Sequence, residues 1–197
     1  MADFSIENNF SGIVAGVDEA GRGPWAGPVV AGAVILDREN CPLGIDDSKK
    51  LSEKKREYIF EQLQGVACVG VGVVSVEEID KMNILQAAML AMKKAVDNLK
   101  VKPNVALIDG NKCPELDCES RAIIKGDSKS LSIAAGAIVA KVTRDRMMKE
   151  IAQEFPYYGW EKNAGYGTKI HQEALAKYGI TAHHRKSFKP IAKILAA

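Results

Sequence analysis

Five short apolar runs constrain the fold of this chain more than any other feature: Gly12 to Asp18, Pro28 to Leu36, Val66 to Val76, Val105 to Ile108 and Arg121 to Lys125. Each is rich in valine, isoleucine, alanine or glycine and is bounded by turn residues, as strands are. Helical signals fill the longer gaps. Ser52 can cap a helix to Leu63, with Tyr58, Ile59 and Leu63 as its apolar stripe. Ser75-Val76-Glu77-Glu78 has capping-box spacing, and Asn83 opens a longer helix in which Leu85, Ala88, Met89, Met92, Val96 and Leu99 recur at helical intervals. A further helix is expected from about Ser130 to Glu154, with small residues that permit close approach to a sheet. The last is capped by Thr168 and ended by Gly179. The pattern predicts an α/β fold with a mixed sheet, its first strands a meander and its later strands reached through helices.

The chain has 197 residues, which favours one domain, 1–197, and no linker, repeat or low-complexity tract divides it. Hydrophobic residues make up 47% and charged residues 26%, which excludes a disordered chain. The net charge is only +2, so a nucleic-acid surface has to come from local clustering. From Trp160 onward Lys162, Lys169, Lys177, Arg185, Lys186, Lys189 and Lys193 face only Glu161 and Glu173, although a solvated helix face would read the same way. Cys41, Cys68, Cys113 and Cys118 form no CxxC unit and lack histidine neighbours, which argues for reduced thiols over a zinc site. No basic leader precedes an apolar core and no run reaches membrane-spanning length, so a cytoplasmic monomer is the expectation.

Chemistry concentrates where the runs end. In Gly16-Val17-Asp18-Glu19-Ala20-Gly21-Arg22-Gly23 two carboxylates meet a glycine-rich turn with an arginine, a grouping suited to a hard divalent ion and a polyanion. Asp109 and Asp127 follow later runs in the same way, so neighbouring strands can bring three separate acids to one sheet edge. Convergent carboxylates repel one another unless a cation neutralises them, and an all-oxygen set selects magnesium or manganese over zinc. Asp18 and Glu19 can share a site only if the strand breaks at Gly21. The acids would also serve as caps and turn residues, Asp127 above all, since it could cap the long helix.

Six motifs in order, Asp18-Glu19-Ala20-Gly21-Arg22-Gly23, Asp47-Ser48-Lys49-Lys50-Leu51-Ser52, Ile108-Asp109-Gly110, Lys125-Gly126-Asp127, Gly165-Tyr166-Gly167-Thr168 and His184-Arg185-Lys186-Ser187-Phe188, resemble bacterial ribonuclease HII. The resemblance runs from about Ile13 to Pro190. It implies a ribonuclease H-like mixed central sheet flanked by helices, with a catalytic core over about 12–160 and a helical, substrate-binding C-terminal segment over about 161–197. It further implies an endoribonuclease that hydrolyses the RNA strand of RNA/DNA hybrids and cuts 5′ to single ribonucleotides in duplex DNA, leaving 3′-hydroxyl and 5′-phosphate ends. Trp25 stands where a leucine is common, and Gly136-Ala137 where the family has alanine then serine, at a small expected cost in helix stability.

By the same resemblance, Asp18, Glu19, Asp109 and Asp127 hold two divalent ions, Mg2+ or Mn2+. Gly21, Arg22 and Gly23 sense the ribose 2′-hydroxyl, and Tyr166 packs on the sugar at the RNA-to-DNA junction. Lys49, Asn83 and Ser128 position the phosphate backbone, Arg185, Lys186 and Lys189 attract it without regard to sequence, and His184 neighbours a phosphate. A junction resolvase is the rival enzyme and a turnover-free hybrid-binding module the rival from another class. The end of the chain, Ile191-Ala192-Lys193-Ile194-Leu195, lacks paired aromatics, so no clamp-binding tail is expected.

Overall fold

In the computed structural model, which describes residues 2–196, all five apolar runs form strands of one sheet. They are β1 (Val14–Ala20), β2 (Val29–Ile35), β3 (Cys68–Val74), β4 (Val105–Asp109) and β5 (Glu119–Ile123). The spatial order is β3-β2-β1-β4-β5. β1, β2 and β3 pair antiparallel, whereas β4 runs parallel to β1 and β5 parallel to β4, so the sheet is mixed as the meander-then-crossover pattern requires. The last strand begins two residues earlier than expected. Its residues Glu119-Ser120-Arg121 are polar because it lies at the sheet edge, which hides it from an apolar-run criterion.

The helices are α1 (Glu53–Val66), α2 (Val76–Met82), α3 (Ile84–Asp97), α4 (Leu131–Glu154), α5 (Trp160–Asn163), α6 (Lys169–Tyr178) and α7 (Lys189–Leu195). Three begin at the expected caps, and α4, whose sequence offers Asp127 as a cap, is capped by Ser130. Ser52 accepts from the Lys55 amide, Ser75 and Glu78 exchange both bonds of a capping box, Asn83 accepts from the Leu85 and Gln86 amides, and Ser130 accepts from the Ile133 amide. Thr168 departs from expectation: its hydroxyl faces the Asn163 amide group and does not cap α6.

One face of the sheet packs α3 against Ala15, Val17, Ala31, Ala33 and Ile108, and the other packs α1 and α4 around Val34, Leu63, Ile138 and Val139. The α4 contact is set by glycine. A Cβ on Gly136 would stand 2.9 Å from the Gly32 carbonyl oxygen, 3.0 Å from that of Gly16 and 3.3 Å from the Asp18 nitrogen. The helix therefore lies backbone to backbone on β1 and β2, and the glycine's poor helix propensity is offset by the packing it permits. A third apolar cluster, with Tyr158 and Trp160 fully enclosed, joins the end of α4 to α6, α7 and the loop that follows β1.

Candidate active site

The parallel pairing of β1 with β4 brings the first acids together. Val17 lies opposite Ile108, so the next residues, Asp18 and Asp109, fall at the same level of adjacent strands. Asp109 ends its strand as expected, whereas Asp18 lies inside β1, paired with Gly32, because the strand runs on to Ala20 before Gly21 turns it at φ 98°. Asp18 and Glu19, near the end of the strand, both line one cleft of about 410 Å³, whose wall also carries Gly21, Gly23, Asp109 and Tyr166, although the pairing with β2 is unbroken through Ala20. Asp127 stands in a 3₁₀ turn, Gly126–Ser128, after β5. The turn is fastened to Asp109, whose Oδ1 accepts from the Gly126 amide at 2.6 Å. Asp127 does not cap α4, since Ser130 performs that role.

The four carboxylates divide into two kinds. Glu19 Oε1 is 3.1 Å from Arg22 Nη1, and Asp127 Oδ2 is 3.2 Å from Lys49 Nζ. Among the described residues neither Asp18 nor Asp109 has an ion-pair partner. Burial raises the Asp18 pKa well above the usual carboxylate range, and the charges of Glu19 and Asp109 raise it further. Burial also raises Asp109, with Asp127 adding to it and the Gly126 amide opposing. Burial depresses the Lys49 ammonium, but the hydrogen bond and charge of Asp127 outweigh it and the net shift is upward. Among the described residues no three His, Cys, Asp or Glu side chains are drawn to the spacing of a closed metal cage. The donor set nevertheless fits a hard divalent cation, being all oxygen, partly buried and short of positive charge at its centre.

Behind the glycine-rich loop lie two arginines with no carboxylate partner among the described residues. Arg185, fully buried, donates to the carbonyl oxygens of Gly21 (2.6 Å), Arg22 (3.1 Å), Pro24 (2.9 Å), Gly27 (2.9 Å) and Pro28 (3.1 Å). Arg144 donates to the carbonyls of Ala26, Pro28 and Ala164. Burial lowers both guanidinium pKa values, Arg144 to about 10 and Arg185, which also feels Arg144, to about 9. Because a trans peptide sets C=O and N–H in opposite directions, the amides of Arg22 and Gly23 are turned away from Arg185. No sequence signal marked Arg144, and Arg185 looked like a surface cation.

Three of the expected substrate contacts therefore need correction or restatement. Arg185 cannot offer its charge to a ligand, since it is spent on the loop's own carbonyls. His184 is likewise fully buried, with Nδ1 3.0 Å from the Thr181 amide nitrogen and Nε2 3.0 Å from His171 Nε2, and cannot neighbour a phosphate. Asn83 is exposed, but its side-chain oxygen is engaged as the α3 cap. Ser128 donates to the Lys125 carbonyl, and Lys186 is exposed with its backbone amide held by Asp80. Lys49, Arg22 and Tyr166 stand at the cleft, and a Cβ on Gly23 would lie 3.3 Å from Tyr166 Cε1, so the turn and the tyrosine adjoin.

Comparison with known proteins agrees with this architecture. The family described as Ribonuclease HII matches residues 15–191. A ribonuclease HII from Jannaschia sp. is 56% identical over 194 residues, covering 98% of each chain. Among solved structures, the ribonuclease H2 from Pyrococcus horikoshii superposes with a TM-score of 0.77 at 30% identity, over 92% of this chain and 96% of that one. The RNase HII of Archaeoglobus fulgidus, solved in complex with PCNA, gives a TM-score of 0.76 at 28% identity, over 90% and 95% of the two chains. No described helix is long and apolar enough to cross a membrane.

Proposed function

The chain belongs to the ribonuclease HII family of hydrolytic endoribonucleases acting on RNA/DNA hybrids, and from that premise we propose that it also cuts 5′ to single ribonucleotides in duplex DNA, with Asp18, Glu19, Asp109 and Asp127 as its catalytic carboxylates. The observation that carries this reading is the adjacency, in one cleft, of hydrolytic acids with the Gly21–Gly23 turn and Tyr166. The acids are the donors for two divalent ions, Mg2+ or Mn2+. The chemistry such ions supply is activation of a water for in-line attack at phosphorus and neutralisation of the charge growing on the leaving 3′ oxygen.

Each other role falls to the chain itself. Asp18 and Asp109, unbalanced by any described protein cation, provide the negative centre, and the Asp109–Gly126 bond fixes the turn that presents Asp127. The Arg22 and Gly23 amides, turned outward by Arg185, supply donors to the ribose 2′-hydroxyl, and only a turn free of bulky side chains lets a sugar come that close. Tyr166, half exposed beside Gly23, packs on the neighbouring sugar. Lys49 and Lys186 meet phosphates, and the C-terminal helical segment belongs to the same single domain as the sheet. The protein acts as a monomer.

The test is cleavage of end-labelled duplex DNA containing one ribonucleotide, with Mg2+, Mn2+ or chelator, beside an all-DNA duplex and the Asp109→Asn variant. A single metal-dependent cut 5′ to the ribonucleotide that vanishes in the variant supports the assignment. Equal cutting of the all-DNA duplex would favour a resolvase, and binding without cutting a hybrid-binding module.

A further inference from the structure

The two buried histidines that take no part in the cleft are connected to it through the main chain of Tyr166. His171 and His184, 13 residues apart, face each other with Nε2 atoms 3.0 Å apart, inside a cage of Trp160 and Tyr158 rings. The groups around them fix every proton. The Thr181 amide can only donate, so His184 Nδ1 accepts, and the His184 proton must sit on Nε2. The Trp160 indole N–H can only donate, and it points at His171 Nε2 at 3.3 Å, so that nitrogen accepts as well. The His171 proton is thereby placed on Nδ1, 2.9 Å from the carbonyl oxygen of Tyr166, which can only accept. The bonds then run in one direction, from Thr181 N–H through His184 and His171 to the Tyr166 carbonyl, with both rings neutral. Burial agrees, since it lowers the pKa of both rings.

We propose that His171 and His184 are positioning residues for substrate recognition: a directional hydrogen-bond relay that sets the main chain of Tyr166 and so the placement of its ring in the cleft. The inference rests on Tyr166 as a reader of the ribose junction. Gly165 and Gly167 flank this residue, and the Gly165 carbonyl accepts from Trp25 while its amide donates to Asn163. Those bonds hold the loop's entrance. The Tyr166 amide donates to the Asn163 carbonyl and the Tyr166 carbonyl accepts from the Thr168 amide at 2.8 Å, both bonds local to the loop. The relay brings a second donor to that same carbonyl and ties it to the distant Thr181 segment, and a network of oriented bonds of this kind is stiffer than any one of its members.

Two substitutions at one buried position separate positioning from bulk. His171→Asn keeps an amide donor where Nδ1 stood and loses the link to His184, whereas His171→Gln places its amide at the Nε2 end and loses the bond to Tyr166. Both should lower the thermal midpoint alike. On duplex DNA with a single ribonucleotide, at a temperature where both are folded, His171→Gln should lower kcat/KM about tenfold, mainly through KM, and His171→Asn less than about threefold. In a Tyr166→Ala background the His171→Gln effect should shrink below about twofold, because the relay acts through that residue. An undiminished loss in that background overturns the proposal. If Tyr166→Ala alone leaves kcat/KM unchanged, the ribose-reading role of Tyr166 fails first and takes this one with it. Nitrogen NMR of the wild-type imidazoles is the check that needs no variant: protons on His171 Nδ1 and His184 Nε2 are expected at pH 7, and the opposite tautomer on either ring overturns the relay whatever Tyr166 does.

Discussion

Lys49 reaches across 78 positions of sequence to bring its ammonium 3.2 Å from Asp127 Oδ2, while most of its side chain stays in solvent. It thus holds a cation at the rim of an acidic centre whose inner members have none. A lysine so placed suits a phosphate that arrives beside the acids. Lys49→Ala should raise KM about tenfold with little change in kcat, and reduce the slope of log KM against log salt by about one. Steady-state rates across a salt series decide the matter. A fall in kcat at unchanged KM would assign Lys49 to the acids and not to the substrate.

Asp18 predicts a conflict between stability and turnover. Its folded pKa is raised, so the folded state holds that proton more tightly than the unfolded chain. This favours folding at low pH and turns into a penalty as pH rises past the unfolded carboxyl value toward the raised one. At pH 7 the metal-free protein carries that penalty. Asp18→Asn should raise its thermal midpoint by about 2–4 °C while hydrolysis falls on the order of a thousandfold. Calorimetry of both proteins in chelator, and again in Mg2+, measures the two effects, and a lower midpoint for the variant in chelator would contradict the account.

Gly136→Ala reverses the usual order of helix propensities. Alanine is favoured over glycine by about 1 kcal/mol in an isolated helix. Here the added methyl group meets the Gly32 and Gly16 carbonyls, which belong to strands and cannot turn aside. The expected outcome is destabilisation of about 1–3 kcal/mol with a loss of activity, since the strand displaced is the one that carries Asp18. Denaturant midpoints that rise in the variant would show that α4 can retreat at no cost.

Acid should weaken the fold through the histidine pair. Burial, and then the neighbouring His171, hold the His184 pKa at about 4, below the ordinary value near 6.5. The unfolded chain therefore takes up the proton first as pH falls. Stability is complete above about pH 6.5 and declines toward pH 4, by at most about 1.4 kcal/mol per pH unit for one such group. Thermal midpoints from pH 7 to pH 4 should drop less steeply for His184→Asn than for the wild type, whatever their difference at neutral pH. Parallel curves would remove His184 from the acid response.

Local chemistry made much of this molecule readable before its fold was known. Ser52, Ser75 and Asn83 announce helix starts because capping needs only the residue and its near neighbours. Asp109 and Glu19 announce a site because acids at strand ends in a glycine-rich setting are placed there by the strands themselves. What escaped detection depends on distant partners. Arg185 and His184 sit in a basic stretch that reads as solvated surface, and only folding reveals backbone carbonyls and a second imidazole waiting for them. Gly136 reads as a weak point in a helix until the carbonyls of Gly16 and Gly32 are brought against it. Asp18 was expected past the end of its strand and lies within it, because the pairing with β2 continues through Ala20.

Arg185 also sets an order of events during synthesis. The carbonyls it holds, from Gly21 to Pro28, precede it by 157 to 164 positions. At a translation speed of about 5–20 residues per second, the loop waits on the order of ten seconds for the side chain that completes it. Until then the carbonyls from Gly21 to Pro28 lack the donor that gathers them, although all five strands precede Arg185 in the sequence and their residues have already been made.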